Sequence, residues 1–284
     1  MVSFPPTPLR SLSPEALGRF FADFPLALLH RENANWRYAE QHSQQGPLVE
    51  QRQGRGPYRH VLLTAPHGGT HLRDLLRKPA DQYTASLVQV MGGRLDAPFV
   101  VWFGRDYPDP VFSRPDPEPV RLREALVIPM LSAKVVLDVH GMKDSHGPDI
   151  CIGMGPAPGV YEKELAARLE QLGKTFGFDV SRNTPFRGDR STSITSLAQS
   201  MGIVALQLEI AHRLRDPVKN PEGVVRLAGW IAGAVELSRQ VGAMAVPDPP
   251  SSSAKLPPGK QGKGASWWKR AWRRREPAPD GRYI

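Results

Sequence analysis

AKVVLDVHG, residues 133–141, is the stretch on which the fold turns. It is a β-branched, apolar run too short for an ordinary helix, and it ends in a histidine and a glycine, which marks a buried strand that stops at a functional group. Two other runs share this design. HVLLTAPHGG (60–69) reaches His67 and two glycines, and IVALQLEI (203–210) carries Glu209 near its end. APFVVWF (97–103) and DICIGM (149–154) complete five strand candidates. Segments of helical period lie between and after them, at 81–92, 120–131, 159–176, 191–201 and 221–241. The last is opened by Asn220 as N-cap and Pro221 at the first helical position, where a missing N–H costs nothing. Strands alternating with helices predict a single α/β domain with a mostly parallel central sheet and helices on both faces.

Outward from this region the pattern weakens. The first 25 or so residues are rich in Pro and Ser and run into GRFFADFPLALL (18–29), a segment expected to cap the domain with a helix, while 31–57 is polar and reads as helix and loop. After Ala245 the chain becomes PDPPSSSAKLPPGKQGKGAS, too poor in apolar groups to repay its ordering entropy. The expected organisation is an N-terminal extension packing on the domain (1–59), the regular domain (60–245), and a disordered linker with a basic, Trp-rich tail (246–284).

Charge confirms this division. The chain carries +9 overall, but residues 246–284 hold nine Lys or Arg against three acids, a net +6. A folded part at about +3 makes no special claim on phosphate backbones, so no specific nucleic-acid partner is expected. In the tail, SWWKRAWRRRE places Trp268 and Trp272 four residues apart among cations. That pattern suits weak contact of 267–275 with an anionic membrane or nucleic acid, and equally suits a solubilising tail. The single cysteine, Cys151, excludes an intrachain disulfide and a Cys-rich zinc site. Met1–Phe21 lacks a signal-like apolar run, and no stretch of about 18 apolar residues occurs, so a cytoplasmic location is expected.

His67, His140 and Glu209 all fall at or near the C-terminal ends of strand candidates, where open α/β sheets bind their ligands. Gly68 and Gly69 let the chain turn sharply after His67. A histidine in a PHGG turn is by itself more often a loop residue than a ligand. A glutamate inside an apolar strand is a stronger signal, with a buried ion pair as the competing reading. Asp138, two residues before His140, shares its strand face and is placed either to orient that histidine or as an ordinary strand-end acid. His71, His146 and His212 compete as ligands; His71, followed by LRD, is expected in an exposed helix-starting turn. Tyr83 and Trp102 read as core or rim residues.

Five motifs in order, TAPHGGT (64–70), VFSRP (111–115), LDVHG (137–141), NTPFRGD (183–189) and ALQLEIA (205–211), resemble those of the N-formylglutamate amidohydrolase family. The resemblance covers about 60–215 and implies a zinc-carboxypeptidase-like (phosphorylase/hydrolase-like) fold and a zinc or other divalent ion. It implies His67, His140 and Asp81 as metal ligands, the last opening the helix of 81–92. It also implies Glu209 as general base, Arg187 as a further catalytic group, and Arg114, Arg187 and Arg190 as substrate-binding cations. The implied activity is hydrolysis of an N-formyl or N-acyl amide of a small acidic amino-acid derivative. A metallocarboxypeptidase, a γ-glutamyl hydrolase or a catalytically silent binding module on the same scaffold are the alternatives. Two departures stand out: DRSTSITSLAQS (189–200) lacks the family's Arg-His pair, and Ser113 replaces the Asn before the family's arginine. Either can alter the substrate without abolishing the metal chemistry. Such an ion polarises a carbonyl and activates water, and a guanidinium grips a carboxylate through parallel hydrogen bonds.

Overall fold

The computed structural model describes residues 14–42, 48–73, 76–110, 125–126 and 128–245. All five strand candidates form: β2 (Val61–Ala65), β5 (Phe99–Phe103), β7 (Val135–Met142), β8 (Ile150–Gly153) and β10 (Val204–Ala211). With β1 (Leu48–Arg52) and β9 (Val180–Arg182) they build a seven-stranded sheet in the order β1-β5-β2-β7-β10-β8-β9. Strands β5, β2, β7 and β10 are mutually parallel, as are β8 and β9, while β1 and β8 run antiparallel to their inner neighbours β5 and β10. The chain is thus an α/β protein with a mostly parallel central sheet. A second, small sheet joins β4 (Leu76–Lys78), β3 (His71–Arg73) and β6 (Tyr107–Pro108).

Alternation along the strands divides the core. Val61, Leu63, Leu137, Val139, Leu206 and Leu208 point into the larger cluster, which the long helices Phe24–Gln41, Thr84–Leu95, Val160–Thr175 and Pro221–Ala245 help to cover. On the opposite face Leu62, Val136, Ala205, Val100 and Trp102 form a smaller cluster with Ile194 and Ala198 of the helix Ile194–Ser200. Further along the same strands that second face turns polar: Thr64 on β2, Asp138 and His140 on β7, Gln207 and Glu209 on β10. All five side chains are buried, so each needs a partner, and this polar row is where the site sits.

Helix ends follow local chemistry. Asn220 Oδ1 accepts the N–H of Gly223, capping Pro221–Ala245 as expected, and Ser193 Oγ accepts the N–H of Ser196 to start Ile194–Ser200. Three sequence expectations need correction. Strand β7 does not stop before His140 but runs to Met142, because Gly141 and Met142 continue the pairing with Ile210 and Ala211. The helix expected from Asp81 begins at Thr84; Asp81 precedes it, separated by Tyr83 in the left-handed region at φ 69°. His71 is not in an exposed turn: it is 3% exposed and lies in β3, its LRD continuation being drawn into the small sheet by β4 and β6. Of the apolar N-terminal segment, Phe21, Phe24 and Leu28 are fully buried in the larger cluster, and Leu48–Arg52 adds an edge strand. Residues 246–284 and Arg114 lie outside the described residues.

Candidate metal centre

His67 follows β2 through Pro66, in a turn that only glycines can continue. A Cβ on Gly68 would strike Ala85 and the Trp102 carbonyl, and one on Gly69 would strike the Gly104 backbone. The turn therefore packs against β5 and the start of Thr84–Leu95, and it holds His67 at the end of the parallel sheet. His140 comes from inside β7. Its register partner across β10 is Glu209, as Asp138 is partnered by Gln207, so these four share one face.

The rings of His67 and His140 meet through their Nδ1 atoms at 3.1 Å. Each Nε2 is committed elsewhere: His67 Nε2 to Asp109 Oδ1 at 3.0 Å, His140 Nε2 to Asp138 Oδ2 at 3.1 Å. A carboxylate only accepts, so both Nε2 atoms donate, and the two Nδ1 atoms are left facing each other, able to share a proton, as in the ion-free chain where His67 is protonated, or an ion, but not to stand as two bare lone pairs. Such an arrangement calls for a positive species between them. Asp81 Oδ2 completes the group at 3.5 Å from His67 Nδ1 and 3.8 Å from His140 Nδ1. Two ligand atoms at about 2.0–2.1 Å from one ion, at a tetrahedral angle, stand roughly 3.4 Å apart, so this N, N, O set has the chemistry and spacing to hold a divalent ion. Asp138 is itself fixed by Thr64 Oγ1, which donates to its Oδ1 at 2.7 Å. Carboxylates behind both rings fix tautomer and orientation, as in known metal sites.

A second group able to hold an ion, His67, His71 and Asp109, shares His67. Here Arg73 Nε already donates to Asp109 Oδ2 at 2.8 Å, so a cation is in place and the first group is the better metal site. His71 stacks on His67 with ring centroids 4.2 Å apart, and burial together with the neighbouring His67 charge drives its pKa down to about 4. It is a neutral wall. His146 is exposed and makes an edge contact with Phe186, and His212 pairs with Gln82; neither belongs to either group.

Electrostatics follow from burial against pairing. Burial opposes a charge on His67, but its bonds to Asp109 and Asp81 outweigh that and raise the pKa to about 10. His140 is raised against burial by Asp138, and Asp81 is lowered against burial by His67. Glu209, 6% exposed, goes the other way: burial raises its pKa to about 7, tempered by His140, and it accepts from Gln207 Nε2 at 2.6 Å.

His67, His71, Asp81, His140, Gln207 and Glu209 line a cavity of about 850 Å³. Arg187 and Arg190 stand on its rim; Arg187 is exposed and paired with Asp189 at 3.3 Å. Asp109 and Arg215 were missed by sequence reasoning, whereas His71, weighed there as a competing ligand, lies buried against His67. Asp109 sits in a Pro-flanked turn 42 residues from His67, and only the small sheet brings them together.

Among solved structures, the chain is similar to N-formylglutamate amidohydrolase from Ralstonia eutropha JMP134 (13% identity, TM-score 0.47, 69% of this chain and 98% of that one). It is similar also to a gene product of Agrobacterium tumefaciens (13%, 0.46, 69% and 96%) and to a bacteriophage poly-gamma-glutamate hydrolase (12%, 0.42, 69% and 88%). No curated protein matches. A family model described as N-formylglutamate amidohydrolase matches residues 125–215. It is this family that the chain resembles over the stretch carrying His140, Arg187 and Glu209, while His67 and Asp81 join the site from outside the matched segment.

Proposed function

We propose that the protein is a metal-dependent amidohydrolase that cleaves the N-formyl or N-acyl amide of a small acidic amino-acid derivative. The observation that carries this reading is the pair of imidazole Nδ1 atoms facing each other at 3.1 Å, each ring anchored by a carboxylate, with Asp81 Oδ2 beside them. His67, His140 and Asp81 would hold the ion, zinc being the ion that this N, N, O set suits. When bound, the ion supplies a Lewis acid for the scissile carbonyl.

The chain's own groups do the rest. Glu209, with a pKa near neutrality, takes a proton from the attacking water and returns it to the leaving nitrogen as the C–N bond breaks. Gln207 holds one oxygen of that carboxylate and leaves the other for the proton. Arg187 and Arg190 offer guanidinium groups to an acidic substrate, and Arg114 of VFSRP is assigned the same task from its motif. Residues 60–245 are proposed as the hydrolase domain, 1–59 as its extension and 246–284 as an accessory tail; a reduced, buried Cys151 accords with a cytoplasmic location.

The deciding experiment measures release of formate or acyl acid from a panel of N-acyl amino acids and peptides, with protein stripped of metal and reloaded with zinc. Zinc-dependent turnover that favours acylated Glu or Asp is expected. Turnover confined to C-terminal residues of peptides would make it a carboxypeptidase, and none at all with full zinc occupancy a binding module.

A further inference from the structure

Arg215 is a buried cation in want of an anion. It is 2% exposed, at the end of the short helix His212–Arg215, and it lines the cavity together with Glu209 and His140. Its Nε donates to the Ile210 carbonyl at 3.0 Å and its Nη1 to the Gln82 carbonyl. Both partners are neutral, and two of five N–H groups are thereby used. Among the described residues no carboxylate lies within 4 Å of it. Four carboxylates act on it at longer range, and each has other duties: Asp81 faces the two histidines and the Gly141 N–H, Glu209 is bound by Gln207, Asp144 by Arg213, and Glu32 by Ser86 and Trp36. A buried guanidinium with hydrogen bonds but no direct ion pair is costly to maintain and is suited to a counterion supplied from outside.

Gly141 shows that the placement is specific. A Cβ there would lie 2.5 Å from Arg215 Nη2, so the residue after His140 must lack a side chain if the guanidinium is to reach this point. The Nη2 end thus lies beside Gly141 of the ligand-bearing strand β7, and both residues line the cavity. Arg187, by contrast, is largely solvated and already paired.

We propose that Arg215 is the specificity-determining residue of the cavity, the group that binds the substrate's carboxylate and sets it at a fixed distance from His140 and Glu209. This deepens the amidohydrolase reading by naming which guanidinium selects an acidic substrate, and it rests on that reading only for the word substrate; carboxylate binding itself can be measured without turnover.

The test uses the full-length chain freed of metal by chelation, so that no ion competes for the ligand, and follows binding of glutarate and of its neutral isostere glutaramide by calorimetry. Glutarate should bind the unaltered chain and glutaramide should not. Arg215→Gln should weaken glutarate by at least about tenfold, as loss of a buried charge partner does, with Arg215→Lys recovering part of it and Arg168→Gln, at an exposed arginine paired with Glu164 away from the cavity, changing it by less than about threefold. Should Arg215→Gln fail to fold, Gly141→Ala takes its place: it retains the charge but displaces the guanidinium, and the same loss is expected. Equal binding of glutarate and glutaramide, or glutarate binding untouched by Arg215→Gln or Gly141→Ala, would overturn the assignment. Arg215-dependent binding in a chain that neither retains zinc nor hydrolyses any acyl-amino acid would leave it standing and remove the amidohydrolase reading instead.

Discussion

Asp81 Oδ2 accepts the backbone N–H of Gly141 at 3.0 Å, so the residue that follows His140 in β7 aims the carboxylate that stands beside His140. The loop carrying Asp81 is pinned again at its own backbone, Asp81 N–H donating to the His67 carbonyl at 2.7 Å and Thr84 Oγ1 to the Asp81 carbonyl at 2.6 Å. A carboxylate held at both ends loses little entropy on binding an ion.

Asp81→Asn keeps an oxygen for the Gly141 N–H but removes the charge. Zinc affinity, measured by competition with a chromophoric chelator, should fall by more than about 100-fold, beyond the roughly 10–100-fold typical of outer partners, and the ion-free chain should itself melt lower, since the same carboxylate pairs with His67. Unaltered affinity would mean that the third ligand is elsewhere.

Asp109→Asn tests the support behind His67. An amide can offer its NH₂ where the carboxylate accepted, which no longer fixes the Nε2–H form of the ring. A loss of about 10–100-fold in zinc affinity is expected, and Asp138→Asn should act likewise on His140. A chain indifferent to both would have its histidines oriented by packing alone.

Glu209→Gln retains volume and removes basicity. Turnover should drop by about 10²–10⁴ with zinc content unchanged as read by elemental analysis. Loss of zinc instead would make Glu209 a ligand, and unchanged turnover would place the base elsewhere.

Away from the site, Tyr58 and Glu236 predict the pH range of stability. Burial, with the Glu236 charge behind it, raises the Tyr58 pKa from 10 to about 12, while Arg239 and Gln240 hold Glu236 below its ordinary value against its burial. The protonated phenol is therefore favoured in the folded chain: its contribution is complete below pH 10 and is lost as pH rises through about 12. The ionised Glu236 contributes above pH 4.5 and is lost as pH falls through its lowered value. In urea unfolding the chain should lose up to roughly 2–3 kcal/mol between pH 10 and 12, a loss absent from Tyr58→Phe. Parallel curves for the two proteins would show that Tyr58 does not titrate in this range.

The central strands were readable because they are buried on both faces, which writes them as continuous apolar runs; VLLTA, FVVWF and VALQLEI stand out for that reason. Strand β1 was not readable. LVEQR is a half-exposed edge strand whose residues carry no sheet signature, and only pairing with β5 makes it one. At the site, His67, His140 and Glu209 showed themselves as polar residues ending apolar runs, a local contrast. Asp109 and Arg215 have no such contrast. Their positions depend on the small sheet and on a one-turn helix after β10, contacts between segments far apart in the chain.

The pairing of His140 with Glu209 across β7 and β10 has one more consequence. Neighbouring strands lie about 4.8 Å apart, and their backbone bonds, not any loop, set the spacing of these two groups. Loops such as 183–190 can change which molecule is admitted and leave that ruler untouched. A slip of one residue in β10 cannot be absorbed in this way, since it would turn Glu209 into the apolar layer and bring Leu208 or Ile210 opposite His140. Correct strand alignment and the proposed chemistry are therefore one event, and turnover per mole of protein becomes a direct count of chains folded in register.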